Sequence, residues 1–118
     1  MKILVCEDNL LMLKTIEFTL KKHGYEVVNA VDGNQGIKAL TNEQIDVLVT
    51  DINMPYNSGL ELIQFIKTNM GNKIPVIIVT GITVEETRQH AKELGAANYV
   101  TKPFDPEVLV EMIRDLSN

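Results

Sequence analysis

Five short runs rich in Val and Ile are separated by segments whose apolar residues recur every three or four positions. The runs are Ile3-Leu4-Val5-Cys6, Val27-Val28, Val47-Leu48-Val49, Val76-Ile77-Ile78-Val79 and Tyr99-Val100. Such short continuous apolar runs read as strands, at least three of them buried on both faces. The intervening positions, Leu13, Ile16 and Leu20; Ile37 and Leu40; Leu62, Phe65 and Ile66; Val84, Thr87, Ala91 and Leu94; Leu109, Met112, Ile113 and Leu116, read as amphipathic helices. Strand and helix alternate five times with short connections. That pattern restricts the chain to right-handed βαβ units, and so to a three-layer α/β sandwich with helices on both faces of a parallel sheet.

Punctuation supports the periodicity. Asp32-x-x-Gln35, Ser58-x-x-Glu61 and Thr83-x-x-Glu86 predict capping boxes, because the first side chain can accept from an orphan amide while the third reaches back. Asp105 precedes Pro106, a residue suited to the first helical position. Gly24 and Gly95 stand where the first and fourth helices should stop, in a left-handed conformation that glycine adopts cheaply.

With 118 residues there is room for one core and no second folded unit, so the expected organisation is a single domain over 1–118. One Cys forms no internal disulfide, and Cys6 on a buried run reads as a core thiol. A net charge of −5 is the wrong sign for holding a phosphate backbone, which argues against nucleic acid as a direct partner. Runs such as Ile74 to Val79 are far shorter than the ~20 residues that span a bilayer. Nor does the start, where Glu7-Asp8 follows four apolar residues, suit a signal peptide, so a cytoplasmic location is expected.

The residues after the apolar runs carry the chemistry. Glu7-Asp8 follows the first strand, Asp51 the third, Thr80 ends the fourth, and Lys102 follows the fifth. In an open parallel sheet these positions share the carboxyl edge, where ligands bind. Carboxylates about 5 Å apart repel by on the order of 3 kcal/mol at an effective dielectric near 20, so the cluster calls for a proton or a cation. An all-oxygen donor set on an accessible rim suits Mg²⁺. Lys102 beside such an ion would help hold a phosphoryl group, with Asp51 as the candidate nucleophile. Asp32, after the second strand, reads as a helix cap only.

Taken in order, Glu7-Asp8, Asp51 with Met54-Pro55 and Gly59, Thr80-Gly81, Tyr99 and Lys102-Pro103-Phe104 resemble a response-regulator receiver domain of two-component signalling. The resemblance covers essentially Met1 to Asn118 and is similar to the single-domain chemotaxis regulators. It implies a flavodoxin-like (βα)5 fold with strand order 2-1-3-4-5. It also implies that Asp51 accepts a phosphoryl group from a histidine kinase or phosphotransfer protein, making the chain a phosphoacceptor switch that takes part in its own phosphorylation and dephosphorylation. By analogy Asp8, Asp51 and the backbone carbonyl of Asn53 would ligate Mg²⁺, with Glu7 acting largely through water. Lys102 would pair with Asp51 or its phosphoryl oxygens, and Thr80 would turn its hydroxyl to the phosphoryl group. Tyr99 would change rotamer and shift the surface of the fourth helix, fifth strand and fifth helix, which would meet a downstream effector or a second copy in a phosphorylation-dependent homodimer. Lys102-Pro103 resembles the family's cis peptide.

Three rival readings are weaker on the residues. A flavodoxin-type FMN carrier should present hydroxyls and amides where Glu7-Asp8 stands. An aspartate-nucleophile phosphatase should carry a second acid two residues after its nucleophile, where this chain has Asn53. A phosphorylation-independent receiver-like binding module would have no need of the complete set. The apolar, branched Ile82, two residues after Thr80, is expected to orient no attacking water and to slow dephosphorylation. His23 reads as a helix-terminus residue and His90 as an exposed helical one, neither with a metal-ligand partner nearby.

Overall fold

The computed structural model describes residues 1–71 and 73–116, so the expected unit from 1 to 118 is described except at 72, 117 and 118. Its elements alternate as β1 (Lys2–Cys6), α1 (Leu10–Lys22), β2 (Glu26–Ala30), α2 (Gly33–Asn42), β3 (Val47–Thr50), α3 (Gly59–Met70), β4 (Val76–Thr80), α4 (Glu85–Leu94), β5 (Asn98–Thr101) and α5 (Glu107–Leu116). All strand pairs are parallel and the order is β2-β1-β3-β4-β5, the flavodoxin-like arrangement. Every apolar run of the sequence is a strand.

The period of two along each strand builds two separate cores. Leu4, Cys6, Leu48 and Ile78 point to one face, where Leu40, Leu62, Ile66 and Ala91 of α2, α3 and α4 cover them. Ile3, Val5, Val47, Val49, Ile77 and Val79 point to the other, under Leu13, Ile16 and Leu20 of α1 and Leu109, Val110 and Ile113 of α5. β1, β3 and β4 are buried on both faces, which explains their unbroken Val/Ile composition. Each fully buried Leu, Ile or Val contributes roughly 1.5–3 kcal/mol relative to exposure. Among the described residues no helix is long and apolar enough to cross a membrane.

The helix ends follow the sequence in part. Ser58 and Glu61 form a complete capping box on α3. Asp32 accepts from the Gln35 amide, but Gln35 reaches back to the Val31 N–H rather than to that of Asp32. Asp105 accepts from the Glu107 N–H at the start of α5. The expected box at Thr83 is absent: the N-cap is one residue later, Val84, which has no side-chain cap, and α4 begins at Glu85. Its first turn instead carries Glu85 and Glu86, whose charge suits the exposed amides there. Gly24 and Gly95 have φ of 89° and 112°, and Gly71, unremarked in the sequence, ends α3 with φ 62°.

Candidate functional site

The sheet register sets the site. Cys6 pairs with Thr50, and the ladder runs one step further as the Asp51 N–H donates to the Cys6 carbonyl. Across the sheet, Thr80 pairs with Thr101 and the Lys102 N–H donates to the Thr80 carbonyl. The residues immediately beyond β1, β3 and β5 are therefore delivered to one rim by main-chain bonds.

On that rim Glu7, Asp8 and Asp51 each offer a carboxylate oxygen, and these atoms lie within 4.8 Å of one another. Glu7 is fully buried and Asp51 is 6% exposed, whereas Asp8 faces solvent. The Lys102 ammonium donates to Glu7 Oε1 at 2.6 Å and to Asp51 Oδ2 at 2.7 Å. Asp51 Oδ1 accepts from the Ile52 N–H at 2.6 Å and from the Asn53 N–H at 3.3 Å, and Glu7 Oε2 from the Asn9 N–H at 3.1 Å. Burial pushes the Glu7 carboxyl above the ordinary carboxylate value, with the Lys102 hydrogen bond pulling the other way. Burial by itself would pull the Lys102 ammonium down, but its bonds to Asp51 and Glu7 outweigh that and hold it above the usual lysine value. Lys102 thus stays charged at neutral pH.

With all three carboxylates ionised, Lys102 leaves a formal charge of −2. At separations within 4.8 Å, carboxylate pairs repel by about 3 kcal/mol or more at an effective dielectric near 20. The donor set is oxygen throughout and half-open to water, which fits a hard divalent ion that keeps several of its waters. Asp8 and Asn53 also line an open concavity of about 330 Å³ with Ile52, Met54, Pro55 and Ser58, so Asn53 lies beside the cluster.

The β3–α3 loop is held close by two glycines. A Cβ on Gly59 would stand 2.2 Å from the Asp51 carbonyl oxygen, and the Gly59 N–H donates to the Ile52 carbonyl. A Cβ on Gly33 would stand 2.0 Å from the Asn57 carbonyl oxygen, where the Gly33 N–H donates to Pro55. The Lys102-Pro103 bond is cis.

Thr80, 1% exposed, accepts from the Ile82 N–H at 3.3 Å, so its hydroxyl oxygen engages the β4–α4 loop. Half-buried Tyr99 donates its hydroxyl to the Ile82 carbonyl at 2.8 Å. Burial raises the Tyr99 phenol above its ordinary value, against the pull of Arg88, and keeps it a donor. Arg88 on α4 sits 5.2 Å over the Tyr99 ring and donates to the Tyr99 carbonyl at 3.2 Å.

Sequence reasoning brought together the carboxylates and Lys102 but missed two features. The first is the direct bond of Glu7 to Lys102, which the chain folds into one pocket. The second is the contact of Arg88 with Tyr99, of which the sequence carries no local signal. Cys6 is a buried thiol pushed up to about 12 by burial, hence unreactive. His23 caps α1 and contacts Glu107 at 2.8 Å, and His90 is exposed.

Comparison with known proteins agrees with this geometry. Residues 3–114 match the model of the response regulator receiver domain. The chain is 38% identical over 120 aligned positions to hybrid signal transduction histidine kinase I of Dictyostelium discoideum, covering 95% of this chain but 7% of that protein. The receiver domain of the Francisella response regulator 1452 superposes with a TM-score of 0.91 at 28% identity, over 98% of this chain and 94% of that one. The chemotaxis response regulator CheY4 of Vibrio cholerae does so with a TM-score of 0.89 at 30% identity, over 98% and 97%.

Proposed function

Because the chain belongs to the response regulator receiver domain family, the phosphoacceptor switches of two-component systems, we propose that Asp51 is its phosphorylation site. The reading covers 1–118 as one receiver unit. The observation that carries it is Lys102, whose ammonium ties Asp51 Oδ2 to Glu7 Oε1 inside the acidic cluster.

In the proposed step an Asp51 carboxylate oxygen attacks the phosphorus of a phosphohistidine on a histidine kinase or phosphotransfer protein. The phosphorus–nitrogen bond breaks, the donor imidazole leaves, and an acyl phosphate forms. The Ile52 and Asn53 amides hold the Asp51 carboxylate in one orientation, so little reorganisation precedes attack. Lys102 moves from carboxylate to phosphoryl oxygens as charge builds there. Glu7, Asp8, Asp51 and the Asn53 carbonyl would hold Mg²⁺, which supplies further neutralisation of that charge when bound.

The Asp51 phosphate adds about −1.5 to −2 of charge beside Thr80. Its oxygens would accept from the Thr80 O–H, and turning that hydroxyl toward the phosphoryl group would draw it away from the Ile82 N–H that now donates to it. Because the Ile82 carbonyl also receives the Tyr99 hydroxyl, that change is passed to the face of α4, β5 and α5. This face is the proposed contact for an effector protein or domain, or for a phosphorylation-dependent homodimer. The proposed setting is cytoplasmic, without direct contact of this domain to nucleic acid or membrane. An aspartate-nucleophile phosphatase is disfavoured by Asn53, an amide where that chemistry needs a proton donor.

Mass spectrometry after incubation with acetyl phosphate, with and without Mg²⁺, tests the assignment. A Mg²⁺-dependent, hydroxylamine-sensitive adduct that is lost in Asp51→Ala is expected. An adduct retained in the variant would refute Asp51, and turnover of a phosphoester would favour the phosphatase.

A further inference from the structure

Arg88 stands out among the charges of α4. Glu85, one turn back on the same helix, is within reach of an ordinary i, i+3 ion pair. Yet among the described residues Arg88 makes no carboxylate pair. Its guanidinium turns instead to Tyr99, with one donor on the Tyr99 carbonyl at 3.2 Å and its central carbon 5.2 Å from the ring centroid. The other end of the same ring is fastened through the hydroxyl to the Ile82 carbonyl at 2.8 Å. Tyr99 is therefore gripped at its backbone, its face and its tip, and two of the three grips come from one residue of α4. The groove beside it, about 270 Å³, is lined by Ala91, Lys92, Ala96 and Ala97 along with Arg88 and Tyr99.

We propose that Arg88 is the positioning residue of Tyr99, holding the ring inward against the β4–α4 loop and so tying the placement of α4 to that of Tyr99 before any phosphoryl group arrives. The inference rests on the reading of Tyr99 as the moving element, and it adds the residue that sets its resting position. The bond to the Tyr99 carbonyl anchors the guanidinium, and a cation held over an aromatic face is worth roughly a two- to fivefold bias between two ring positions. Loss of Arg88 should release the ring by about that factor.

The test labels the chain with 3-fluorotyrosine. Tyr25, Tyr56 and Tyr99 are its three tyrosines, and Tyr99→Phe assigns the resonance of interest. Tyr56, 75% exposed, serves as the internal reference for a ring in water. In Arg88→Met the Tyr99 fluorine is expected to acquire an H2O-to-D2O solvent shift close to that of Tyr56, while the circular dichroism stays that of wild type. Arg88→Lys, which keeps a cation near the ring but loses the fork to the carbonyl, should recover part of the effect. Lys92→Met, one turn further along the same groove, should leave the Tyr99 resonance in place. An unchanged Tyr99 signal in Arg88→Met overturns the proposal, as does an equal response in Lys92→Met, which would make the effect one of groove charge in general. The readout needs no phosphoryl group. A wild-type chain that takes none at Asp51 would sink the functional reading while leaving the Tyr99 measurement to decide this one.

Discussion

Gly59→Ala should damage both stability and the site, for a reason that can be worked from one distance. The added Cβ would sit 2.2 Å from the Asp51 carbonyl oxygen and 2.9 Å from its carbonyl carbon. Carbon and oxygen settle at about 3.3 Å or more in weak C–H···O contact, so the α3 start and the Asp51 loop must separate by roughly 1 Å. The neighbouring Gly59 N–H to Ile52 carbonyl bond, 3.0 Å, lies in the path of that movement. Overpacking against backbone costs typically 1–3 kcal/mol, and a net loss of about 2 kcal/mol is expected after the small helical gain of alanine. For a chain of 118 residues, that corresponds to a fall in Tm of roughly 8 °C. Gly81→Ala is the control, since its Cβ would meet nothing within 4 Å; it should remain within about 0.5 kcal/mol of wild type. Thermal unfolding reads the stability, and the rate of adduct formation with acetyl phosphate, at a temperature where both variants are folded, reads the site. A Gly59→Ala chain that melts with wild type and phosphorylates at the same rate would refute the steric reasoning.

Lys102→Met removes the internal counter-charge. Breaking a buried pair costs about 3–5 kcal/mol, and a lysine side chain 22% exposed should lose less, about 2 kcal/mol. Added Mg²⁺ should restore more stability to this variant than to wild type in denaturant titrations; equal responses would argue against a shared site. Glu17 sits between Lys14 and Lys21, and the Lys21 hydrogen bond holds its carboxyl below the usual value. Its contribution, about 0.5 kcal/mol for so exposed a cluster, is present above the ordinary carboxylate range and lost as the pH falls through the lowered value. Glu17→Gln should therefore be less stable than wild type at pH 7 and indistinguishable in strong acid, as followed by denaturant midpoints across pH. Ile82→Glu should shorten the lifetime of the Asp51 phosphate, because a carboxylate can orient water where a branched alkyl group cannot; faster loss from wild type in a phosphate-release assay would sink the idea.

How far the sequence could be read depends on the range of the interactions involved. Strands and helices were legible because burial on both faces of β1, β3 and β4, and on one face of α1 to α5, writes a local period into the chain. The acidic cluster followed because strand ends in a parallel sheet share an edge. The Glu7 to Lys102 bond joins residues 95 apart, and only the folded register shows which carboxylate oxygens the ammonium reaches. Thr83 fits a capping pattern as well as Ser58 does, yet the N-cap position falls to Val84, because a cap of about 1 kcal/mol yields to the path of the β4–α4 loop. Arg88 and Tyr99 sit on separate elements with no shared periodicity, so nothing in the sequence joined them.

Ile82 reaches Thr80 and Tyr99 through main-chain atoms, not through its side chain. Its N–H serves Thr80 and its carbonyl serves Tyr99, while its side chain packs half-buried beside the α2–α4 core. Two traits that look inseparable at one position are thus carried by different parts of the residue. On the proposed reading, side-chain replacements would lengthen or shorten the life of an Asp51 acyl phosphate like a timer, with the wiring to Tyr99 left in place. Proline alone would cut the connection to Thr80, since it lacks the N–H. The duration of a signal and its transmission can therefore drift independently in chains built this way.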